Sequence, residues 1–289
     1  MKQTLTTLTC LFYFFLATFC QNHNEANIGE IHGNFETTNQ YYNPDTAIGA
    51  PNVPEKLLSS SFANILYSRG NFNAGVRLES YLNVLQGIDP SYNDVGIPYR
   101  FVTYTMDNLN VTAGNFYEQF GSGMILRSYE ARQLGIDNAI EGTRVKLNPI
   151  KGIYLTGLIG KQRLFFDRGP GIIRGLDGTI SINELHPRLD SITTKISVGG
   201  SFVSRYQKDD DPTYNLPENV GAYSARLNLN HAGFSFTGEY AYKINDPNSS
   251  NNFIYKPGQG ALFSMGYSQK GIGVSVSGKM IDNMDFRSD

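Results

Sequence analysis

Apolar and polar residues alternate over many short runs of the chain, and the pattern is clearest in the C-terminal third. Segments 221–230, 233–243, 260–269 and 271–281 each carry an apolar side chain at almost every second position. A period of two over this length is typical of β-strands whose two faces meet different surroundings. The opposite positions hold glycine, serine, threonine, asparagine and some charge. These segments are therefore predicted as strands with one apolar and one polar face.

The same alternation predicts strands through the rest of the chain. They cover 30–42, 59–69, 71–86, 98–106, 108–118, 143–148, 152–164, 175–184 and 191–205. Together with the C-terminal segments they give about thirteen strands of the alternating type. After Cys20 no segment approaches the apolar length of a transmembrane helix. The predicted fold class is therefore all-β and antiparallel.

Short and long connections alternate between these strands. Short turns are predicted at 69–71, 107–108, 148–152, 186–190, 231–233 and 269–271. Longer polar loops are predicted at 43–58, 87–96, 206–221 and 245–259. Short turns at one end and long loops at the other are typical of transmembrane β-barrels of the outer membrane, whose tilted strands need about 9–11 residues. A soluble β-sandwich, with strands nearer about 5–6 residues, is the alternative.

The N-terminal sequence MKQTLTTLTCLFYFFLATFC has the features of an export signal. A basic residue precedes the apolar run 11–19, and Thr18 and Cys20 are small enough for the −3 and −1 positions of a cleavage site. We therefore expect a signal peptide at 1–20 and a barrel at 21–289. A lipid anchor on Cys20 is the alternative to cleavage after it. An exported barrel would lie in the outer membrane of a Gram-negative bacterium.

Charge and composition argue against several other classes of protein. The chain has 24 basic and 26 acidic residues, so it offers no strongly basic surface for nucleic acid. Its two cysteines, Cys10 and Cys20, leave the rest of the chain without a disulfide or a thiolate ligand. Its 4 histidines have neither the spacing of a helical zinc pair nor a visible catalytic grouping. We therefore expect no cofactor, no metal and no enzyme activity.

Two further motifs have plain structural interpretations. The acidic run 209–211 lacks the spaced ligands and the glycine of a calcium-binding loop, so a solvated outer loop is expected there. The run GPGIIRG at 169–175 has the wrong glycine spacing for a dinucleotide site. It is predicted as a loop that leads into the strand at 175–184.

Segment 114–146 departs from the alternating pattern because it crowds glycines and then charges of both signs. Gly121 and Gly123 form a candidate bend where a strand leaves the barrel wall. The segment could also include a helical turn at 127–134. In porin-like barrels a loop folds into the lumen and its charges set selectivity. The candidate lumen constriction consists of Arg127, Glu130, Arg132, Asp137, Glu141, Arg144 and Lys146.

The start of this segment, GNFYEQFGSGMILR, carries a short motif of glycines, an amide and aromatic residues. Its positions are Gly114, Asn115, Phe116, Phe120, Gly121, Gly123 and Met124, and GIDNAIEG at 135–142 continues the pattern. Here the chain resembles a broad group of large outer-membrane β-barrel proteins of Gram-negative bacteria, most of them uncharacterised. The resemblance implies the fold and the location across most of the chain, and it implies no catalytic residue.

The main functional hypothesis is a barrel that passes a small-molecule solute or forms the membrane part of an envelope transport assembly. Its expected partners are outer-membrane lipid and an envelope protein, and the sequence does not identify the solute. The alternatives are a non-conducting barrel whose outer loops bind a partner or a glycan, and a soluble periplasmic β protein. Because the first and last predicted strands run in the same direction, we also expect an incomplete, N-terminal part of a larger barrel, truncated at its C-terminus.

Overall fold

The structure is a computed structural model that describes residues 28–50 and 52–285. The predicted signal peptide at 1–20 lies outside the described residues. Within the described part of the chain, 13 strands form one antiparallel sheet, and its neighbouring strands follow one another along the chain. The prediction of an all-β, antiparallel chain is therefore confirmed.

The main sheet consists of long strands joined in sequence order. Its members are β1 (Glu30–Tyr41), β2 (Leu57–Arg69), β3 (Phe72–Tyr81), β4 (Val95–Met106), β5 (Leu109–Phe116), β8 (Ile140–Leu147), β9 (Ile153–Leu164), β10 (Asp167–Ser181), β11 (Lys195–Tyr206), β12 (Asn219–His231), β13 (Phe234–Lys243), β14 (Gly258–Gln269) and β15 (Ile272–Asp282). A separate small hairpin is formed by β6 (Glu130–Ala131) and β7 (Ile136–Asp137).

Across 28–50 and 52–285, helical structure is confined to single turns in the connections. The 3-10 turns are Pro90–Tyr92, Arg132–Leu134, Ile182–Leu185 and Ser249–Asn251, and one α-helical turn covers Pro187–Asp190. Among the described residues, no helix has the length and apolar character needed to cross a bilayer.

Most tight turns lie at one end of the sheet, and most long loops lie at the other. The tight turns are at 70–71, 107–108, 232–233 and 270–271, where the sequence predicts them. The long loops are 42–56, 82–94, 117–139, 207–218 and 244–257. Successive connections lie at opposite ends, because each strand reverses the direction of the one before it. The two exceptions in the described sheet are a tight turn at 165–166 on the long-loop end and a longer connection, 182–194, on the tight-turn end.

Two connections differ from the prediction. Residues 169–175 are not a loop, because they belong to β10, which follows β9 after a turn at 165–166. The glycines and proline of this run are absorbed by a shift in strand register inside β10. The connection predicted as a short turn at 186–190 is longer, spanning 182–194, and contains two helical turns.

The two faces of the sheet are reversed relative to those of a water-soluble protein. On β3, Arg77 and Glu79 are 4% and 1% exposed, whereas Val76 and Leu78 are 42% and 45% exposed. Similar exposed apolar rows lie on later strands, at Leu176, Ile180, Val198, Phe202, Tyr223, Leu227, Tyr240, Tyr242, Phe263, Met265 and Tyr267. Charged residues are almost never buried unless they are paired, so this reversal needs a physical cause.

The sheet curls towards its polar face. Arg163 of β9 contacts Glu79 of β3 with an Nη2–Oε2 distance of 2.6 Å, although β4, β5 and β8 lie between those strands. Neighbouring strands are about 4.8 Å apart, so two side chains meet across three intervening strands only if the sheet bends around them. The polar side is called the inner face below, and the apolar side is called the outer face.

Residues 117–139, between β5 and β8, fold against the inner face and are called the inner loop. They contribute to a buried apolar cluster with strands from β5 to β13. Its members are Phe116, Phe120, Ile125, Leu126, Ile140, Leu158, Ile173, Val203, Ala222, Ala241 and Met284. Burial of one such phenylalanine or leucine side chain contributes about 1.5–3 kcal/mol. The inner loop is therefore part of the core.

Strands β1 and β15 form the two edges of the sheet. Within the described residues they pair with β2 and β14 respectively, and they do not pair with each other. Every residue of β1 is exposed, although Glu36 of this strand pairs with Arg132 of the inner loop at 3.0 Å. The described sheet is curled but does not close into a barrel.

Candidate functional site

The inner loop makes a sharp reversal at 120–126, a few residues after the end of β5. The N–H of Gly123 donates to the carbonyl of Phe120 at 2.9 Å, and the N–H of Phe120 donates to the carbonyl of Leu126 at 3.1 Å. Gly121 and Gly123 have φ angles of 53° and 91°, which side chains with a Cβ atom rarely adopt. The two glycines that the sequence marks as a bend therefore lie in this reversal, a few residues beyond the strand end.

The tip of the reversal is attached to β13 on the far side of the inner face. The N–H of Ser122 donates to Oε2 of Glu239 at 2.7 Å. A Cβ atom at Gly121 would lie 2.6 Å from both oxygens of the same carboxylate. Only a glycine lets the backbone approach Glu239 this closely. The inner loop thus spans the inner face from β5 to β13.

A buried group of charges holds the β6–β7 hairpin of the inner loop against the wall. We call it the latch cluster, and it consists of Arg77, Glu79, Glu130, Asp137 and Arg163. Arg77 reaches Glu79 at 2.6 Å, Glu130 at 2.9 Å and Asp137 at 2.5 Å. Arg163 reaches Glu79 at 2.6 Å and Asp137 at 2.6 Å. Each guanidinium therefore bridges two strands, because each contacts carboxylates on separate elements.

The electrostatics of the hairpin follow from burial opposed by neighbouring charge. Burial raises the pKa of the Asp137 carboxyl, and the guanidinium groups of Arg163 and Arg77 oppose that rise. The phenol of Tyr117 donates to Oδ1 of Asp137 at 3.0 Å. Burial is also the main cause that raises the pKa of Tyr117, so this phenol stays neutral at physiological pH.

Two of the predicted constriction residues, Arg144 and Lys146, project from β8 on the inner face. Both reach Oε2 of Glu118 in the inner loop, at 3.2 Å and 2.8 Å. Arg144 also donates to the hydroxyl of Thr112 and to the carbonyl of Tyr117. Lys146 is the more exposed of the two cations.

The remaining predicted residues separate into two groups. Glu130 and Asp137 belong to the latch cluster. Arg132 lies over the ring of Phe62 at 4.4 Å and pairs with Glu130 at 2.7 Å and with Glu36 of β1 at 3.0 Å. Arg127 lies over the ring of Tyr129 at 4.6 Å, within the inner loop itself. All of these residues are on the inner side of the sheet. They do not form a single ring of free charges, because Arg77 and Arg163 of the latch cluster neutralise Glu130 and Asp137.

Glu141 stands apart from the other predicted residues. Its neighbour Ile140 belongs to the inner apolar cluster. Successive side chains of a strand point to opposite faces, so Glu141 projects from the outer face. There it pairs with Arg100 of β4 at 3.0 Å and Arg168 of β10 at 2.7 Å. Glu141 therefore belongs to an exposed ion pair on the opposite face to Arg144.

Sequence reasoning did not select Arg77, Glu79 and Arg163, although they form the wall side of the latch cluster. The alternation on β3 does place Arg77 and Glu79 on its polar face. A pair of opposite charges two positions apart on the polar face of a strand was the available signal. Arg163 gives no such signal, because it lies at the end of β9 and contacts residues distant in the chain.

The inner face also carries an open cavity of about 810 Å³ between the inner-loop tip and strands β12 to β15. Its wall includes Gly121, Ser122, Arg226, Glu239 and Lys279. In the part of the chain that the structure describes, no group of three or more His, Cys, Asp or Glu side chains is placed to hold a metal ion.

A family model matches the chain over residues 1–289. The chain belongs to the family of unknown function (DUF6029). A search of curated proteins found no match. Because the family has no assigned function, the function of this member must be argued from its own residues.

Several solved structures resemble the fold at low sequence identity. A BenF-like porin from Pseudomonas fluorescens Pf-5 is 9% identical, with 88% of this chain and 92% of that chain covered and a TM-score of 0.36. OccAB4 of Acinetobacter baumannii is 12% identical, with 88% and 83% covered and a TM-score of 0.38. The outer membrane channel DcaP of Acinetobacter baumannii is 11% identical, with 91% and 82% covered and a TM-score of 0.37.

Proposed function

We propose that the chain forms the wall of a porin-like barrel in the outer membrane of a Gram-negative bacterium, and that the inner loop narrows a path for small polar solutes. The observation that carries this proposal is the reversed burial of the sheet, with apolar side chains outside and paired charges inside. A spanning sheet in lipid needs this distribution, because lipid solvates apolar side chains and leaves polar ones to the interior.

The outer face has the composition that lipid contact requires. On β12 the exposed side chains at the strand centre are Tyr223 and Leu227, at 51% and 39% exposure. Between them on the inner face lie Ser224 and Arg226, and Arg226 is held by Asp177 at 2.8 Å. In water, such a continuous exposed apolar surface would favour aggregation. In a bilayer it is the stable arrangement.

The inner loop has the position of a constriction. It crosses the inner face from β5 to β13, and the latch cluster fixes its hairpin near β3 and β9. Its edge presents Arg127 and Arg132, and β8 adds Arg144 and Lys146. Arg132 is paired with Glu130 and Glu36, but Arg144 and Lys146 share the single carboxylate of Glu118, so cations exceed carboxylates around the inner loop. Charges that line a narrow part of a pore set the selectivity among ions. We therefore expect the protein to favour anions over cations.

The test is the conductance of the purified protein in planar bilayers, with Arg127, Arg132 and Arg144 replaced together by glutamine. We expect a pore whose anion-to-cation permeability ratio falls by about twofold or more, because the constriction loses positive charge. The matched control replaces Arg100 and Arg168, which lie on the outer face. Unchanged selectivity in the triple variant, with a folded protein, would reject the inner loop as the constriction.

A non-conducting barrel is the second candidate, and one observation favours it. The apolar cluster around Phe116 and Phe120 fills part of the inner face, and both rings are almost fully buried. A barrel plugged in this way would use its outer loops for binding. Absence of any channel current from the folded wild-type protein, together with a stably co-purifying envelope protein, would support this candidate and reject the first.

A further inference from the structure

Besides Leu262, Phe263 and two glycines, the cavity beneath the inner-loop tip is lined by polar side chains. They include Asn228 of β12, Thr237 of β13, Ser264 of β14 and Ser277 of β15. Its volume of about 810 Å³ lies within the range of small-ligand sites, about 300–1,000 Å³. The cavity therefore has room for a small solute and many groups that can form hydrogen bonds with one.

The most unusual group of this cavity is the carboxylate of Glu239. The residue is 7% exposed, and its Oε2 accepts one hydrogen bond, from the N–H of Ser122. Its Oε1 is buried and has no hydrogen-bond partner among the described residues. No described lysine, arginine or histidine forms an ion pair with it. A buried carboxylate without a counter-charge is costly, so a positively charged ligand group would be strongly favoured there.

The basic residue directly opposite Glu239 on the neighbouring strand does not neutralise it. Arg226 of β12 is the direct cross-strand neighbour of Glu239. Its guanidinium instead pairs with Asp177 at 2.8 Å and donates to Thr179 and Ser201. A Cβ atom at Gly199 would lie 2.5 Å from Nε of Arg226, so a glycine on β11 makes room for this orientation. The local structure thus leaves the Glu239 carboxylate facing the cavity.

A second charge lies in the same cross-strand row. Glu239 pairs in register with Leu262 of β14, and Leu262 pairs with Lys279 of β15. Residues two strands apart in one row are about 10 Å apart at their Cα atoms. Lys279 lines the cavity, and no described carboxylate forms an ion pair with it. The cavity lining therefore carries a buried carboxylate and, two strands away in the same row, the exposed ammonium group of the edge strand.

We propose that this cavity binds a small zwitterionic solute, with its ammonium group at Glu239 and its carboxylate towards Lys279. The inference rests on the proposed function, in which the cavity is part of the solute path. A zwitterion supplies the counter-charge that Glu239 lacks and avoids the repulsion that Lys279 would exert on a simple cation. The hydroxyl and amide groups of the wall then accept and donate hydrogen bonds to the rest of the solute.

Calorimetric titration of the detergent-solubilised protein with dialanine, N-acetyl-dialanine and dialanine amide tests the proposal. These probes are similar in size and carry both charges, only the negative charge and only the positive charge. We expect dialanine to bind at least about tenfold more tightly than N-acetyl-dialanine. Glu239→Gln should remove this preference, and Lys279→Gln should remove the preference for dialanine over its amide. Glu218→Gln, at an exposed position outside the cavity, should change neither.

A backbone pair of variants tests the same site without altering any charge. Gly121→Ala places a Cβ atom against the Glu239 carboxylate and should weaken dialanine binding by about tenfold. Gly70 has a similar φ angle of 54°, and a Cβ atom added there would have no other atom within 4 Å. Gly70→Ala should therefore leave dialanine binding unchanged. If Glu239→Gln fails to fold, this pair of variants still tests whether dialanine binds at Glu239.

The inference is overturned if folded wild-type protein does not bind dialanine, or binds N-acetyl-dialanine equally well. It is also overturned if Glu239→Gln binds dialanine like the wild type. Bilayer conductance of the same preparation separates this outcome from failure of the proposed function. A conducting protein without dialanine binding contradicts the site alone, and a dialanine-binding protein without conductance contradicts the pore alone.

Discussion

Replacing Arg163 with methionine is expected to lower the free energy of unfolding by about 3–5 kcal/mol. Arg163 bridges Glu79 and Asp137 in the latch cluster, and its side chain is 2% exposed. Methionine fills a similar volume but leaves both carboxylates without one of their two cations. Removing one partner from a buried ion pair is costly because the remaining charge stays buried and unpaired. Denaturant unfolding of the folded protein in detergent or lipid measures the loss.

The matched control is Arg168→Met, at the start of β10. Arg168 also contacts a carboxylate with a short Nε–Oε2 distance, 2.7 Å to Glu141, but its side chain is 53% exposed. Exposed ion pairs of this kind contribute less than about 1 kcal/mol, so the control should be almost neutral. Equal effects of the two substitutions would contradict the description of the latch cluster as a buried structural element.

Replacing Leu227 with arginine is expected to destabilise the membrane-inserted protein by about 2–4 kcal/mol. Leu227 projects from the outer face near the middle of β12, where its side chain would contact the hydrocarbon. Arginine at this depth must keep its charge in lipid or distort the bilayer around it. Unfolding in lipid vesicles, compared with unfolding of the wild type, gives the magnitude.

The adjacent position provides the control for this substitution. Asn228 follows Leu227 on β12 and faces the cavity on the inner side. Asn228→Arg introduces the same charge into a polar, water-accessible space, so its cost should be well below that of Leu227→Arg. If the two variants were equally stable in vesicles, the outer face would not be the lipid-facing side.

The strands and the tight turns were predictable because they depend on local pattern. A period of two defines each long strand, and most of the tight turns contain a glycine. The turn at 165–166 escaped prediction because it contains two phenylalanines, which are not typical turn residues. Phe165 adopts a φ angle of 55°, and Phe166 packs edge-on against Tyr81 at 6.1 Å. This turn is stabilised by contacts with β3 that local sequence does not encode.

The candidate site was only partly predictable for a related reason. The composition of 114–146 marks an unusual segment, and its predicted constriction residues lie on the inner side of the sheet, with the exception of Glu141. The partners of those charges lie far away in sequence, since Arg77 and Asp137 are separated by 60 positions. Glu239 appears in the sequence as an ordinary polar position of a strand. Its importance becomes visible only when Gly121 and Ser122 are brought against it.

The orientation of β12 tests the proposed membrane-spanning sheet most directly, because such a strand has its outer face in lipid and its inner face in a polar interior. Beyond Cys20 the chain has no cysteine, so single cysteines at Tyr223, Ala225 and Leu227, or at Ser224 and Asn228, can carry spin labels. In vesicles, we expect oxygen dissolved in lipid to relax labels at the first three positions. A water-soluble nickel chelate should relax labels at the other two more strongly than at the first three. Equal accessibility of both sets to the nickel chelate would contradict a membrane-spanning strand.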